Sequence, residues 1–585
     1  MPRRINCRGI VLSAACVPHL FHCTSGFLSI FKMKFLAPYA LWLNGVAAAA
    51  IVSRAEEATL ADNLTIDVDY AIYQGQKNQT TGINSWKGIR YAAAPIGDLR
   101  WKAPQTPAKD RKTTIKATEY GATCPQAFPS IPNPPFIPGN EDCLFLNVQT
   151  PSNAKAKKLP VLVWIHGGGY GLGDGRKDLS EIINANDGGF VGVSIQYRLG
   201  AFGFLSSADV KKDGILNAGL RDVAFALEWI QEHIEKFGGD RKQVTIAGES
   251  AGGGAVMLLG IAEKGDLKTS LYKNGIAASP WLPAQYDYNH ATPTAHYQDL
   301  AQRVGCNSTK TLLKCLRVAD SQALQEANNA ISTTGTYATW AFLPVTEPDF
   351  ITSRPSKSLT KGKVNGQNIL VGNNANEGPL FVPPIISTLD DLKNWLHLDF
   401  PTLSDADIQT ILTAYPSPDH ADDPNALKFA TNGIDSPTAV NVSQVATGHQ
   451  QRANNIHAEA RFVCPSYWLN SAYANSYHYQ YSVPFASHQD DIDAYFGPSQ
   501  PNQSPSFSLA FRRIWGNFIT RSNPSIADEE AAKDWPKWKD GEGARLLNLN
   551  TTGGVPYQAV TQFGASVTQF REPGLQNDFD VASAW

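Results

Sequence analysis

Two glycine-framed segments carry the residue types that acyl-transfer chemistry needs. The first is Val244-Thr245-Ile246-Ala247-Gly248-Glu249-Ser250-Ala251-Gly252-Gly253, in which a β-rich run ends in Gly-x-Ser-x-Gly. It passes into Gly254-Ala255-Val256-Met257-Leu258-Leu259, a small and apolar helix start. A serine on such a strand-to-helix turn, in strained backbone, exposes its hydroxyl as a nucleophile must. Gly248 and Gly252 leave the adjoining turns and strands room that a Cβ would fill. Five residues of this kind also fit an ordinary glycine turn, and the strand before and helix after favour the nucleophile. In the second segment, Val161-Leu162-Val163-Trp164-Ile165 runs directly into His166-Gly167-Gly168-Gly169-Tyr170. Three glycines after a strand let backbone N–H groups face a ligand with no side chain in the way. The amides of Gly168, Gly169 and Ala251 are assigned as donors to a tetrahedral oxyanion, where losing one donor typically costs about 2.7–4 kcal/mol. A phosphate-binding loop does not fit, because no Lys-Ser/Thr ends it and no ribose-binding acid is placed by spacing.

These loops require a rigid sheet behind them. Residues 161–165 are an uninterrupted apolar run of strand length, as a strand buried on both faces should be, and Phe190 to Tyr197 is another. Leu144 to Val148 reads as a further strand, and residues 64–105 as strands and turns. Between Tyr197 and the serine segment, Val223, Leu227, Ile230, Ile234 and Phe237 recur in steps of four and three. That spacing predicts a helix, stopped by Gly238-Gly239. Strand, helix, strand with a buried pattern implies an α/β protein with a parallel sheet flanked by helices. Residues 285–345 and 385–465 read mostly helical, with no repeats and no linker long enough to separate domains.

The chain has 585 residues, room for several domains or one large one with insertions. A net charge of -3 gives no electrostatic case for nucleic acid, and no Cys/His spacing suggests a metal. Residues 33–50 have the form of a signal peptide: Met33-Lys34, an apolar stretch, then Ala47 to Ala50. Residues 1–32 add nothing that a signal needs and read as an extension, with Met33 as the expected start. The apolar stretch is short for a span of about 20 residues, and no apolar tail follows Asp578, so neither a membrane anchor nor a lipid anchor is expected. A secreted chain is expected, with residues 51–585 forming one catalytic domain. Without the leader, Cys124 and Cys143, and Cys306 and Cys315, form two local pairs that would each close a short loop, as an oxidising compartment allows. Cys464 is left over and reads as a buried thiol. Asn-x-Ser/Thr sequons at Asn63, Asn78, Asn307, Asn441 and Asn550 are candidates for glycan; a sixth, at Asn502, is disfavoured by Pro505.

Taken together, the chain resembles the type-B carboxylesterase/lipase family, the α/β-hydrolase branch that includes cholinesterases. The matching stretches are Gly88 to Gln105, Glu141-Asp142-Cys143-Leu144-Phe145-Leu146-Asn147-Val148, the His-Gly-Gly-Gly loop, Gln196-Tyr197-Arg198-Leu199-Gly200, and Asn217 to Gly253. The resemblance runs from about residue 65 to the C-terminus. It implies an α/β-hydrolase fold: a large, mostly parallel central sheet flanked by helices, with helical insertions forming a gorge. The family's acid follows a strand in Gly-x-Asn-x-x-Glu-Gly, matched by Gly372-Asn373-Asn374-Ala375-Asn376-Glu377-Gly378, so Glu377 is implied as the acid. The family more often has Asp where this chain has Asn376. The segment His488-Gln489-Asp490-Asp491-Ile492-Asp493-Ala494-Tyr495-Phe496-Gly497, after a strand at Tyr477 to Val483, implies His488 as the base. His166, the main rival, reads as a brace for the oxyanion loop. The order Ser250, Glu377, His488 is the one α/β hydrolases use.

The implied activity is hydrolysis of small-molecule carboxylic esters through an acyl-enzyme, with no cofactor and no metal. Two other readings are a triacylglycerol lipase and a non-catalytic cell-surface adhesion protein of the same fold. Adhesion relatives lose the nucleophile or the base, and this chain keeps both. A cholinesterase is disfavoured, because that branch carries a Trp inside the first Cys loop and residues 125–142 contain none. The same 18 residues contain six prolines, Pro125, Pro129, Pro132, Pro134, Pro135 and Pro138. Interior proline costs a helix about 3 kcal/mol, so an amphipathic lid helix of the lipase kind is not expected there. The sequence carries no reading of oligomeric state or of acyl and alcohol preference.

Overall fold

The apolar runs assemble into one large twisted sheet, seen here in a computed structural model. The structure describes residues 64–153, 158–306, 311–415, 448–483, 486–527, 532–538, 544–551 and 563–570. The expected extension 1–32, the leader 33–50 and the sequons at Asn63, Asn307 and Asn441 lie outside the described residues, as does the Asn550 side chain. The strands are β1 (Thr65–Asp67), β2 (Ile72–Gln74), β3 (Gln76–Asn78), β4 (Ile83–Arg90), β5 (Thr114–Lys116), β6 (Phe145–Pro151) and β7 (Leu159–Ile165). They continue with β8 (Val191–Ile195), β9 (Gly239–Glu249), β10 (Asn274–Ala278), β11 (Asn368–Asn374), β12 (Asn475–Tyr481), β13 (Ala544–Thr551) and β14 (Phe563–Phe570). β1, β2 and β5 form a small sheet, and the other 11 strands form one sheet in the order β14-β13-β12-β11-β10-β9-β7-β8-β6-β4-β3.

From β8 through β13 the neighbours are parallel, and the pairings at either end are antiparallel. Parallel strands must be buried on both faces, and β7 shows how its sequence meets that demand. Val161, Val163 and Ile165 pack in one apolar layer with Val223, Leu227 and Ile230 of the helix Ala218–His233. Leu162 and Trp164 point the other way, into a layer with Phe511, Ile514, Trp515 and Phe518 of the helix Pro505–Arg521.

The parallel block has one consequence for the site. β7, β9, β11 and β12 all end at the same edge, with Ile165 opposite Gly248 and Asn374 opposite Tyr481. The loops leaving those four ends carry His166 to Gly169, Ser250, Glu377 and His488.

The helix expected to run to Phe237 ends its α-helical part at His233. Ile234–Phe237 tightens into a 3-10 turn, and Gly238, at φ 87°, closes it before β9. The insertions are helical, with Ala291–Arg303, Leu312–Val318 and Ser321–Ser332 in one and Leu389–Asp399, Asp405–Ala414 and Gly448–Ala458 in the other. Disulfides join Cys124 to Cys143 and Cys306 to Cys315. Cys464 is a free thiol whose pKa burial pushes up. Asn78 is exposed on β3. Among the described residues, no helix is long and apolar enough to cross a membrane.

Candidate active site

Ser250 sits between β9 and the helix Ala251–Ile261 with φ 58° and ψ -124°, a conformation side-chain-bearing residues rarely adopt. The flanking glycines are required by close approach. A Cβ on Gly248 would overlap the Gly252 carbonyl, and one on Gly252 would overlap the Ile165 carbonyl of β7. The turn is thereby pressed against the strand that leads into the oxyanion loop.

That loop is built from residues in left-handed backbone: Gly168 at φ 96°, Gly169 at 62° and Tyr170 at 59°. A Cβ on Gly169 would overlap the indole of Trp340. Among the described residues, the amides of Gly168, Gly169 and Ala251 have no hydrogen-bond partner. Three unpartnered N–H groups beside one serine can donate to a substrate oxygen as it develops negative charge. His166 lies flat against Tyr197, with ring centroids 4.4 Å apart, and its Nδ1 is 2.9 Å from the Gly167 carbonyl. The Tyr197 hydroxyl donates to the His166 carbonyl at 2.8 Å. Burial lowers the His166 pKa, so the ring is neutral and sits behind the loop.

Glu377 is fully buried. Its Oε1 accepts from the Ser279 hydroxyl and from the Asn374 amide, both at 2.7 Å, and its Oε2 accepts from His488 Nδ1 at 2.6 Å. The two loops are stitched together by the Asn376 amide donating to the Ala486 carbonyl at 2.8 Å. The neighbouring acids face elsewhere. Asp490 accepts from the Ser487 amide at 2.8 Å, while Asp491 accepts from Asn374 Nδ2 and from the Tyr479 hydroxyl, each at 3.3 Å. His488 Nε2 has no hydrogen-bond partner, so a Ser250–His488 hydrogen bond is not made; Nε2 lies 3.2 Å from Glu249 Oε1. Catalytic hydrogen bonds are often loose until substrate is bound.

Several residues at this site carried no sequence signal. Glu249 lies within the serine motif but was given no role there, and it is buried against His488. Desolvation first, then the charge of Glu377, pushes its pKa far above the carboxylate range. Asp491 is raised the same way, by desolvation and then by Glu249 and Glu377. Burial thus disfavours the charged form of both acids beside His488. An aromatic wall encloses the imidazole: Phe381 and Phe462 lie 5.0 and 4.7 Å from it, and Trp281 stacks on Phe381 and meets Trp340 edge-on at 5.4 Å. These rings come from four separate segments, so no local pattern marks them.

A model of the carboxylesterase family matches residues 62–563. Secreted lipase 4 of Gibberella zeae is 28% identical over 485 residues, covering 80% of this chain and 85% of its own. The para-nitrobenzyl esterase of Bacillus subtilis is 34% identical over 316 residues, or 52% of this chain and 61% of its own. Among solved structures, Aspergillus niger EstA superposes with a TM-score of 0.72 at 27% identity, covering 89% of this chain and 97% of that one.

Proposed function

This chain belongs to the carboxylesterase family and is a serine carboxylic ester hydrolase, and from that premise we propose that Ser250, His488 and Glu377 are its catalytic triad. In this reading His488 Nε2 takes the Ser250 proton as the hydroxyl attacks the ester carbonyl. Glu377 holds the ring with Nδ1 protonated and stabilises the imidazolium. The amides of Gly168, Gly169 and Ala251 receive the oxyanion. His488 then gives its proton to the departing alcohol and activates the water that releases the acid. The observation that carries the reading is the 2.6 Å contact from Glu377 to His488 beside a serine with three unpartnered amides around it. An organophosphate should label Ser250 alone and abolish activity; inactivation with the label elsewhere would overturn it.

We infer further that the enzyme is secreted and prefers soluble short-to-medium esters. The names of relatives such as secreted lipase 4 support secretion and favour the lipase reading of the substrate. The Cys124–Cys143 loop favours the esterase: none of residues 125–142 is helical, and Ser130 is paired with Tyr337 rather than free to swing. Trp340 covers Gly169 and Gly171 of the oxyanion loop and meets Trp281 edge-on. The expected result with tributyrin is a rate that saturates smoothly through the solubility limit. A sharp rise above that limit would make this a lipase.

A further inference from the structure

The oxyanion loop turns through positive φ at Gly168, Gly169 and Tyr170; the two glycines leave its backbone free to move, and Tyr170 is strained there, so its shape persists only where its surroundings fix it. Within the loop, the amides of Gly171 and Leu172 donate to the Gly168 carbonyl at 3.1 and 2.8 Å. The Gly200 amide donates to the Tyr170 carbonyl at 2.8 Å, and the Cys124–Cys143 loop holds the far end. The Gly173 amide donates to Gln126 Oε1 at 2.8 Å, and Gln126 Nε2 donates back to the Gly173 carbonyl at 3.1 Å. The same Nε2 donates to the Cys124 carbonyl at 2.8 Å, next to the disulfide. The Ala127 amide donates to the Gly171 carbonyl at 2.8 Å. Trp340 closes the clamp, its Nε1 donating to the Ala127 carbonyl at 2.9 Å while its ring covers Gly169 and Gly171.

We propose that Gln126 is a positioning residue for ester hydrolysis: its carboxamide pairs with both backbone groups of Gly173 and so fixes the direction of the Gly168 and Gly169 amides. This rests on the oxyanion role proposed above. The carboxamide is the side-chain group suited to this task, because it offers a donor and an acceptor side by side, matching a peptide's own pair. Gln126 is buried, so water does not readily replace it when it is lost. It touches no reacting atom. Its effect must therefore fall on the transition state, where the amides are used, and leave the ground state alone.

The test is Gln126→Leu, which keeps the volume and removes both polar groups. The expected result is a kcat lowered about 100-fold, the scale of a 1 Å misplacement, with KM within about twofold. Affinity for an aryl trifluoromethyl ketone should fall by the same factor. In that adduct Ser250 Oγ bonds to the ketone carbon, His488 takes the hydroxyl proton, and the ketone oxygen becomes the oxyanion. Inhibition by the product alcohol, which has no oxyanion, should stay the same. A kcat within twofold of wild type, a change in KM alone, or equal loss of ketone and alcohol binding would each overturn the role. Should Gln126→Leu not fold, Gln126→Met makes the same removal with a more adaptable chain. Failure of the underlying reading is seen separately, in a wild-type enzyme that organophosphate does not label at Ser250.

Discussion

Ser250→Ala lowers kcat by about a million-fold and leaves the fold standing. The substitution removes one oxygen from a buried side chain and keeps the Cβ, so the packing around the turn is unchanged. Its backbone at φ 58° is no harder for alanine than for serine, because the clash belongs to the Cβ that both share. What remains is an oxyanion site without an attacking atom, and the residual rate over water, about 10³–10⁴-fold, is what such a site supplies alone. Hydrolysis of a nitrophenyl ester and the thermal midpoint measure the two halves of this expectation. A variant retaining a hundredth of wild-type kcat would place the nucleophile elsewhere.

Glu377→Gln costs about 10⁴-fold in kcat with little change in KM. The cause lies in how the carboxylate is held. Oε1 takes two donors, Ser279 and Asn374, and Oε2 takes the third, His488 Nδ1–H. A carboxamide has one acceptor oxygen, and the two donors at Oε1 claim it. The NH₂ then faces Nδ1, which can only accept, so the ring proton moves to Nε2 and His488 can no longer take one from Ser250. The alternative flip sets NH₂ against the Asn374 amide and destabilises the loop. Steady-state kinetics of the purified variant decide the matter. Near-normal kcat would transfer the role to Asp490 or Asp491.

The serine turn and the oxyanion loop were legible in the sequence because each is contiguous and follows a strand, even though several of its glycines answer contacts far along the chain, as Gly252 does to Ile165. The same holds for β7, whose apolar run reflects burial on both faces. Glu377 and His488 were legible only through family patterns, since each is an isolated polar residue in a loop. Nothing in the local sequence separates a buried Glu377 from a solvated one. The contact of Glu249 with His488 and the places of Gln126, Trp340 and Phe381 were not legible at all. Each owes its position to partners far along the chain, as Trp340 does to Ala127, and neither periodicity nor spacing records such contacts. The 3-10 turn at Ile234–Phe237 was missed for a smaller reason: its apolar spacing suits either helix, and Gly238 settles the geometry.

The helix Ala251–Ile261 opens with Gly252, Gly253 and Gly254, and each glycine in a helix costs about 1 kcal/mol relative to alanine. A Cβ at these positions would meet the carbonyls of Ile165, Ala278 and Trp281, all outside the helix. The helical cost of these glycines is offset in the folded chain by the close approach they permit to β7, β10 and the Trp281 carbonyl. The shape of the Ser250 turn thus belongs to the assembled sheet and its neighbouring carbonyls, and not to the glycine-rich segment itself.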